Sequence, residues 1–293
     1  MRERMNIGSY DILIIGHVSR DINVYRGQEE RVTGGAVFYA SFSAKRSGSS
    51  VLAVTKLSQA DADLADPLKA ESVEVMVLDT LETTSIRNIY KSEDRERREV
   101  TLLARASSFQ LNQIPRSDVR IIYLAGLFAG EIPLDLIPPL SETAEIALDV
   151  QGVLRCSEGG NLVFRDWKNK ERYLPRITYL KTDAAEALIL TGEHDREKAS
   201  RILQELGARE VMVTHNTEVL VCCDQKLYRA PFNPKNLSGR TGRGDTCFAA
   251  YLSWRTHHNI QESVEYAAAL TSLKMETPGP FRGSVQDVLS TLK

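Results

Sequence analysis

The chain has 293 residues, 42% hydrophobic and 26% charged, the balance of a globular enzyme with room for one large domain and a small attachment. A formal net charge of -2 gives no general affinity for nucleic acid or anionic membranes, and no apolar run approaches the ~20 residues that span a bilayer. Cys156, Cys222, Cys223 and Cys247 lack CxxC spacing, and Met1 to Met5 lead into a strand without a signal-peptide core, so reduced thiols and a cytoplasmic location are expected.

Tyr10-Asp11-Ile12-Leu13-Ile14-Ile15-Gly16 is a continuous apolar run closed by glycine, which predicts a parallel strand buried on both faces. Asp21 follows, at the carboxyl edge where ligands of open α/β sheets gather. Residues 22–25 predict a short strand leaving the main sheet. Residues 33–48 mix small and aromatic side chains into a closely packed helix opening on Gly34-Gly35, where paired glycines let backbone approach a ligand. Strands are expected at 51–55 and 73–78, with a helix at 60–70. Between 84 and 105 the side chains alternate around Ser92-Glu93-Asp94-Arg95-Glu96-Arg97-Arg98, a β-hairpin with a charged, solvated tip.

Strands at 121–125 and 146–150 flank a helix at 133–143, and Gln151 and Arg155 lie just past the second strand on the ligand-bearing edge. Residues 156–175 read as a meandering polar segment. A strand at 177–181, helices at 183–190 and 198–206, and strands at 211–214, 219–223 and 227–230 follow. Helices near 245–257, 261–275 and 284–292 complete the chain. Alternating βα units predict a parallel sheet with helices on both faces, carrying a small β lid.

Gly239-Arg240-Thr241-Gly242-Arg243-Gly244-Asp245-Thr246 holds three glycines in six positions, then runs into residues at helical spacing. Such a turn leaves backbone N–H groups pointing one way with the helix dipole behind them, a site for an anion, most often phosphate. Asp245 at its mouth either caps the helix or accepts the proton of a substrate hydroxyl. The positive helix end is expected to hold its pKa down. The spacing matches neither GxxxxGK[ST] nor GxGxxG, and the absence of GxGxxG after the first strand disfavours a dinucleotide-dependent oxidoreductase.

Gly34-Gly35 with Asp21 before it, and Gly242-Arg243-Gly244-Asp245 late in the chain, resemble the PfkB family, the ribokinase-like sugar kinases, and the likeness covers essentially the whole chain. Asp149-Val150-Gln151-Gly152-Val153-Leu154-Arg155 looks most like the myo-inositol kinase branch. The resemblance implies a single ribokinase-like three-layer α/β/α domain over 1–293, with a mainly parallel sheet and a discontinuous β lid from about 22–33 and 84–105. It implies transfer of the ATP γ-phosphoryl group to a hydroxyl of a sugar or cyclitol. Asp245 matches the catalytic base, and Gly242, Arg243 and Gly244 the anion hole. Asp21, Gly34 and Gly35 match substrate-holding positions, with Tyr39, Gln151 and Arg155 beside them. Thr214, Asn216 and Thr241 fall with Gly242 and Gly244 on the nucleotide side. Asp183-Ala184-Ala185-Glu186 resembles an Asn-x-x-Glu that organises Mg2+ through water. The lid would exclude water, and K+ activation and a homodimer formed through the lids stay open.

Four departures from the family stand out. Gly239 replaces Asp, Arg243 replaces Ala, Asp183 replaces Asn, and Tyr39 stands where ribokinases carry Asn, which argues against ribose. A nucleoside kinase of the same fold and a sensor that binds sugar and nucleotide without turnover are the alternatives.

Overall fold

The computed structural model describes residues 6–91 and 98–292, so most of the charged hairpin tip, residues 92–97, lies outside the described residues. In chain order the strands are β1 (Asn6–Ile15), β2 (Ser19–Tyr25), β3 (Gln28–Gly34), β4 (Val51–Leu57), β5 (Glu74–Asp79), β6 (Ser85–Tyr90), β7 (Arg98–Ala104), β8 (Arg116–Leu124), β9 (Glu145–Asp149), β10 (Arg155–Glu158), β11 (Asn161–Phe164), β12 (Tyr179–Asp183), β13 (Glu210–Thr214), β14 (Glu218–Cys223) and β15 (Lys226–Pro231). Among the described residues these form two sheets.

The large sheet has nine strands in the order β15-β14-β13-β12-β9-β8-β1-β4-β5. Its pairs are parallel except β13 with β14 and β14 with β15. Successive side chains of a strand face opposite ways, so β1 sends Ile12 and Ile14 into one core and Leu13 and Ile15 into another. The first core packs the helices Ala36–Arg46, Arg243–Arg255 and Ile260–Met275 against the sheet. The second holds Leu203 of the helix Arg196–Glu205 with Leu148, Leu180 and Val213. This is a three-layer α/β fold, helices covering both faces of a mainly parallel sheet.

The second sheet runs β10-β11-β7-β6-β2-β3. It is wider than the lid expected from the sequence: β2 begins at Ser19, and the polar segment after Arg155 supplies the hairpin of β10 and β11. That hairpin closes on Gly159-Gly160, both at positive φ, and Asn161 of β11 pairs with Thr101 of β7 to join it to the sheet. Gly34 ends β3, and the helix begins at Ala36 with Gly35 as its N-cap. The helices expected at 60–70 and 133–143 are instead 3-10 segments run into short α turns, the kinked Gln59–Ala65 with Asp66–Ala70 and Leu134–Leu136 with Ile137–Ser141.

Packing of the helix Ala36–Arg46 on the helix Arg243–Arg255 joins the two glycine turns. Ser43 Oγ donates to the Thr246 carbonyl at 2.8 Å, across 203 residues of chain. Phe248 meets Tyr123 of β8 edge to face at 5.1 Å, fixing the second helix on the sheet.

Candidate active site

The parallel strands deliver polar groups to one edge: Asp149 ends β9, Lys181 and Asp183 end β12, and Thr214 ends β13. The second sheet stands over this edge. Between them lie two connected chambers, an inner one of about 60 Å³ and an outer one of about 450 Å³. Asp21, Gly35 and Tyr39 line the inner chamber, and Asp183, Thr214, Asn216, Arg243 and Gly244 line the outer. Asp245, Thr241, Gly242, Gln151 and Arg155 line both. The two distant carboxylates, Asp21 and Asp245, therefore face one cavity.

Asp21 sits on β2 and is buried. Ser19 Oγ donates to its Oδ1 at 2.7 Å, so its partner is a side chain and not the local backbone of a turn. Burial raises its pKa to about 6, while the Ser19 hydroxyl, Arg98 and Arg155 pull the other way. Gly34 lies beneath it and is not on the chamber wall: a Cβ there would run into the Asp21 carboxyl.

The helix Arg243–Arg255 starts two residues earlier than its periodicity suggests, on Gly242 in the left-handed conformation, φ 77°. A side chain at Gly242 would be strained by that angle and would strike the ring of Tyr39. The Arg243 N–H closes the turn on the Arg240 carbonyl at 3.1 Å, which takes it out of the expected anion hole. Gly242 and Gly244 remain on the chamber walls. The Arg243 side chain points along the outer chamber, where Asn216 Oδ1 accepts from both Arg243 and Arg240 at 3.1 Å. A Cβ at Gly239 would meet the Thr277 carbonyl, so this turn has no room for a side chain there.

The helix end does not hold the Asp245 pKa down. Burial raises it to about 6, with Asp149 adding to the rise and Lys181, Arg155 and its own backbone N–H opposing it. Desolvation of the carboxylate outweighs the dipole here. At neutral pH the group is still ionised and able to take a proton.

Asp183 and Glu186 form a reciprocal cap on the helix Ala184–Thr191: Glu186 N–H donates to Asp183 Oδ1 and Asp183 N–H to Glu186 Oε2, each at 2.8 Å. Asp183 also faces the outer chamber, whereas Glu186 is buried behind it. Burial raises the Glu186 pKa to about 7, against the pull of Lys181.

Several site residues escaped the sequence reading, among them Arg98, expected in the solvated hairpin tip, and Arg240, both on the outer chamber wall. Lys181 pairs with Asp149 at 2.9 Å, both buried, and lines the outer chamber. Burial alone would lower the Lys181 pKa, yet Asp149, Glu186 and Asp245 hold it above the ordinary lysine value. Lys274 lies buried on the helix Ile260–Met275 and donates to the carbonyls of Gly239 and Thr241. The available signal was a lysine set among core positions, since Ala267, Leu270, Thr271 and Lys274 share one helical face.

Known proteins share this fold. A structure of a pyrophosphate-dependent kinase in the ribokinase family, complexed with a pyrophosphate analog and myo-inositol, is 36% identical and superposes with a TM-score of 0.87 over 95% of this chain and 99% of that one. The ribokinase of Arabidopsis thaliana, complexed with ribose and ATP, shares the fold: TM-score 0.76, 19% identity, 97% of this chain and 99% of that one. A cytidine kinase of Thermococcus kodakarensis is 25% identical over 260 residues, 83% of this chain and 87% of that protein. The family described as pfkB family carbohydrate kinase matches residues 4–286. With the family model spanning nearly the whole chain and a relative 36% identical over 95% of it, the chain belongs to the PfkB family of carbohydrate kinases and is a phosphotransferase.

Proposed function

We propose that this kinase phosphorylates a hydroxyl of a cyclitol or related small polyol, with inorganic pyrophosphate as donor in place of the ATP expected from the sequence. The observation that carries the proposal is the wall of the outer chamber. Arg98, Arg155, Lys181, Arg240 and Arg243 line it, and no aromatic or aliphatic side chain among the described lining residues offers a face for adenine. Such a wall suits a compact polyanion. The relative bound to a pyrophosphate analog and myo-inositol supports the same pair of substrates. The ATP reading keeps one specific support, Thr214 and Asn216 on the same wall.

In this mechanism the acceptor hydroxyl lies in the inner chamber against Asp21, and the donor lies in the outer chamber against the cations. Asp245 borders both and takes the hydroxyl proton as the new O–P bond forms and the bridging P–O bond breaks, releasing orthophosphate. Gly242 and Gly244 present backbone to the transferring group. Mg2+, when bound, would neutralise phosphate charge. Among the described residues no group of three His, Cys, Asp or Glu side chains could hold a metal ion, so Asp183 would reach it through water. Ile86 and Asn88 of β6 close the inner chamber and keep water from the reaction.

The test is a donor-by-acceptor matrix: pyrophosphate or ATP against cyclitols, sugars and nucleosides including cytidine, read as phosphorylated product. Turnover of a cyclitol with pyrophosphate is expected. Turnover with ATP alone rejects the donor, phosphorylation of nucleosides alone rejects the acceptor, and no product from any pair leaves a non-catalytic sensor.

A further inference from the structure

The cations of the outer chamber face the donor, but one cation of the site faces the other way. Lys274 lies on the helix Ile260–Met275, 2% exposed, in a region of the core that holds mostly apolar and small side chains. Its ammonium donates to two backbone carbonyls of the glycine turn, Gly239 and Thr241. It also sits 5.4 Å from the centre of the Tyr39 ring, and that ring packs directly on Gly242. Carbonyls below and an aromatic face beside it cage the charge.

The peptide bond carries this arrangement to the substrate. In a trans peptide the C=O and the N–H of one unit point in opposite directions. Holding the Thr241 carbonyl therefore aims the Gly242 N–H away from Lys274, and holding the Gly239 carbonyl does the same for the Arg240 N–H. Gly242 and Arg240 both line the outer chamber. A positive charge on the carbonyl side also polarises the unit and makes the N–H a stronger donor. We propose that Lys274 is a positioning residue, an internal ammonium that locks the glycine turn with its N–H groups toward the donor phosphate, so that the turn needs no ion from solution to hold it. The proposal rests on the phosphotransfer reading of this site.

Burial pushes the Lys274 pKa down to about 8, with the Asp245 charge working against the fall. A charge kept in so dry a place suits a role that an apolar helix residue could not fill.

The test compares Lys274→Ala and Lys274→Met with the parent, in the donor and acceptor pair that the parent uses. Charged hydrogen bonds of this kind are worth about ten- to a hundredfold, so kcat/KM for the donor should fall by that range while the acceptor KM moves less than threefold. Ethylammonium ion, added to Lys274→Ala, should restore at least a tenth of the lost rate, whereas tetramethylammonium should not. A donor kcat/KM within twofold of the parent in a folded variant overturns the proposal, as does equal response to the two ions. If neither variant folds, the parent decides alone: a rate that changes less than twofold between potassium and tetramethylammonium salts upholds the internal cation, and a severalfold rise with K+ rejects it. A parent inactive with every donor rejects the proposed function instead.

Discussion

Lys181 Nζ lies 2.9 Å from Asp149 Oδ2, with both side chains buried, and a Cβ at Gly244 would come within 3.1 Å of the same ammonium. The pair thus forms a floor under the turn that carries Asp245. A buried ion pair is weak evidence of net stability, but breaking one partner leaves the other charge stranded. Lys181→Met should cost about 3–5 kcal/mol of folding stability, measured by urea unfolding. Lys181 also lowers the pKa of Asp245, so its loss should move the acid limb of kcat/KM to higher pH. A limb that stays in place would remove Lys181 from the electrostatics of the base.

Asp245→Asn should lower kcat by about 10²–10⁴, the usual scale of general-base loss, while donor affinity holds. Steady-state rates paired with calorimetric binding separate the two. Near-full turnover in this variant would mean that another group takes the proton.

The same carboxylates govern stability. Burial lifts Asp21 and Asp245 to about 6 and Glu186 to about 7. The folded chain then keeps protons that the unfolded chain, with carboxyls near 4, gives up. Their contribution is fully present below the unfolded pKa and is lost as pH rises through 6 and 7. Melting temperatures of the ligand-free protein from pH 4 to 8 should show this fall. In Asp245→Asn the fall should be shallower, and equal slopes would count against a raised pKa for Asp245.

Gly242→Ala introduces two faults at once, a strained φ and a methyl group against Tyr39. Destabilisation of more than about 1 kcal/mol is expected from the angle alone. Tyr39→Ala should relieve only the steric part, so the double variant should be less damaged than the sum of the singles. Strict additivity would show that ring and turn do not press on each other.

Arg243→Gln tests the donor side. It removes one of five cations lining the outer chamber, and kcat/KM for pyrophosphate should drop about ten- to a hundredfold. The acceptor KM should hold. An equal loss on both substrates would mean that the change distorts the turn.

Read from the chain alone, the alternation of strands and helices predicts the three-layer fold, and glycine punctuation marks both turns. These signals are local: a glycine before a helix, or a buried strand's apolar run, depends on residues a few positions away. Asp21 and Asp245 could be named for the same reason, since each stands at a recognisable local feature. Two things escaped local reading. The hairpin of β10 and β11 closes locally on the two-residue turn Gly159-Gly160, but its place beside β7 is set only by tertiary pairing. The Asp245 pKa was expected to follow the helix end, but burial beneath the second sheet sets it.

Fold class, family and the two turns that bear the chemistry are written in the order of residues along the chain. That Lys181 and Lys274 belong to the site follows only from packing. A lysine in an apolar stretch ordinarily runs its stem along the core and its charge into water, so the core-facing position of Lys274 hinted at burial but named no partner. Asp149 comes from a neighbouring strand, and the carbonyls of Gly239 and Thr241 from a loop some 35 residues away. Charge, burial and partner are properties of a three-dimensional neighbourhood, and only packing assembles it.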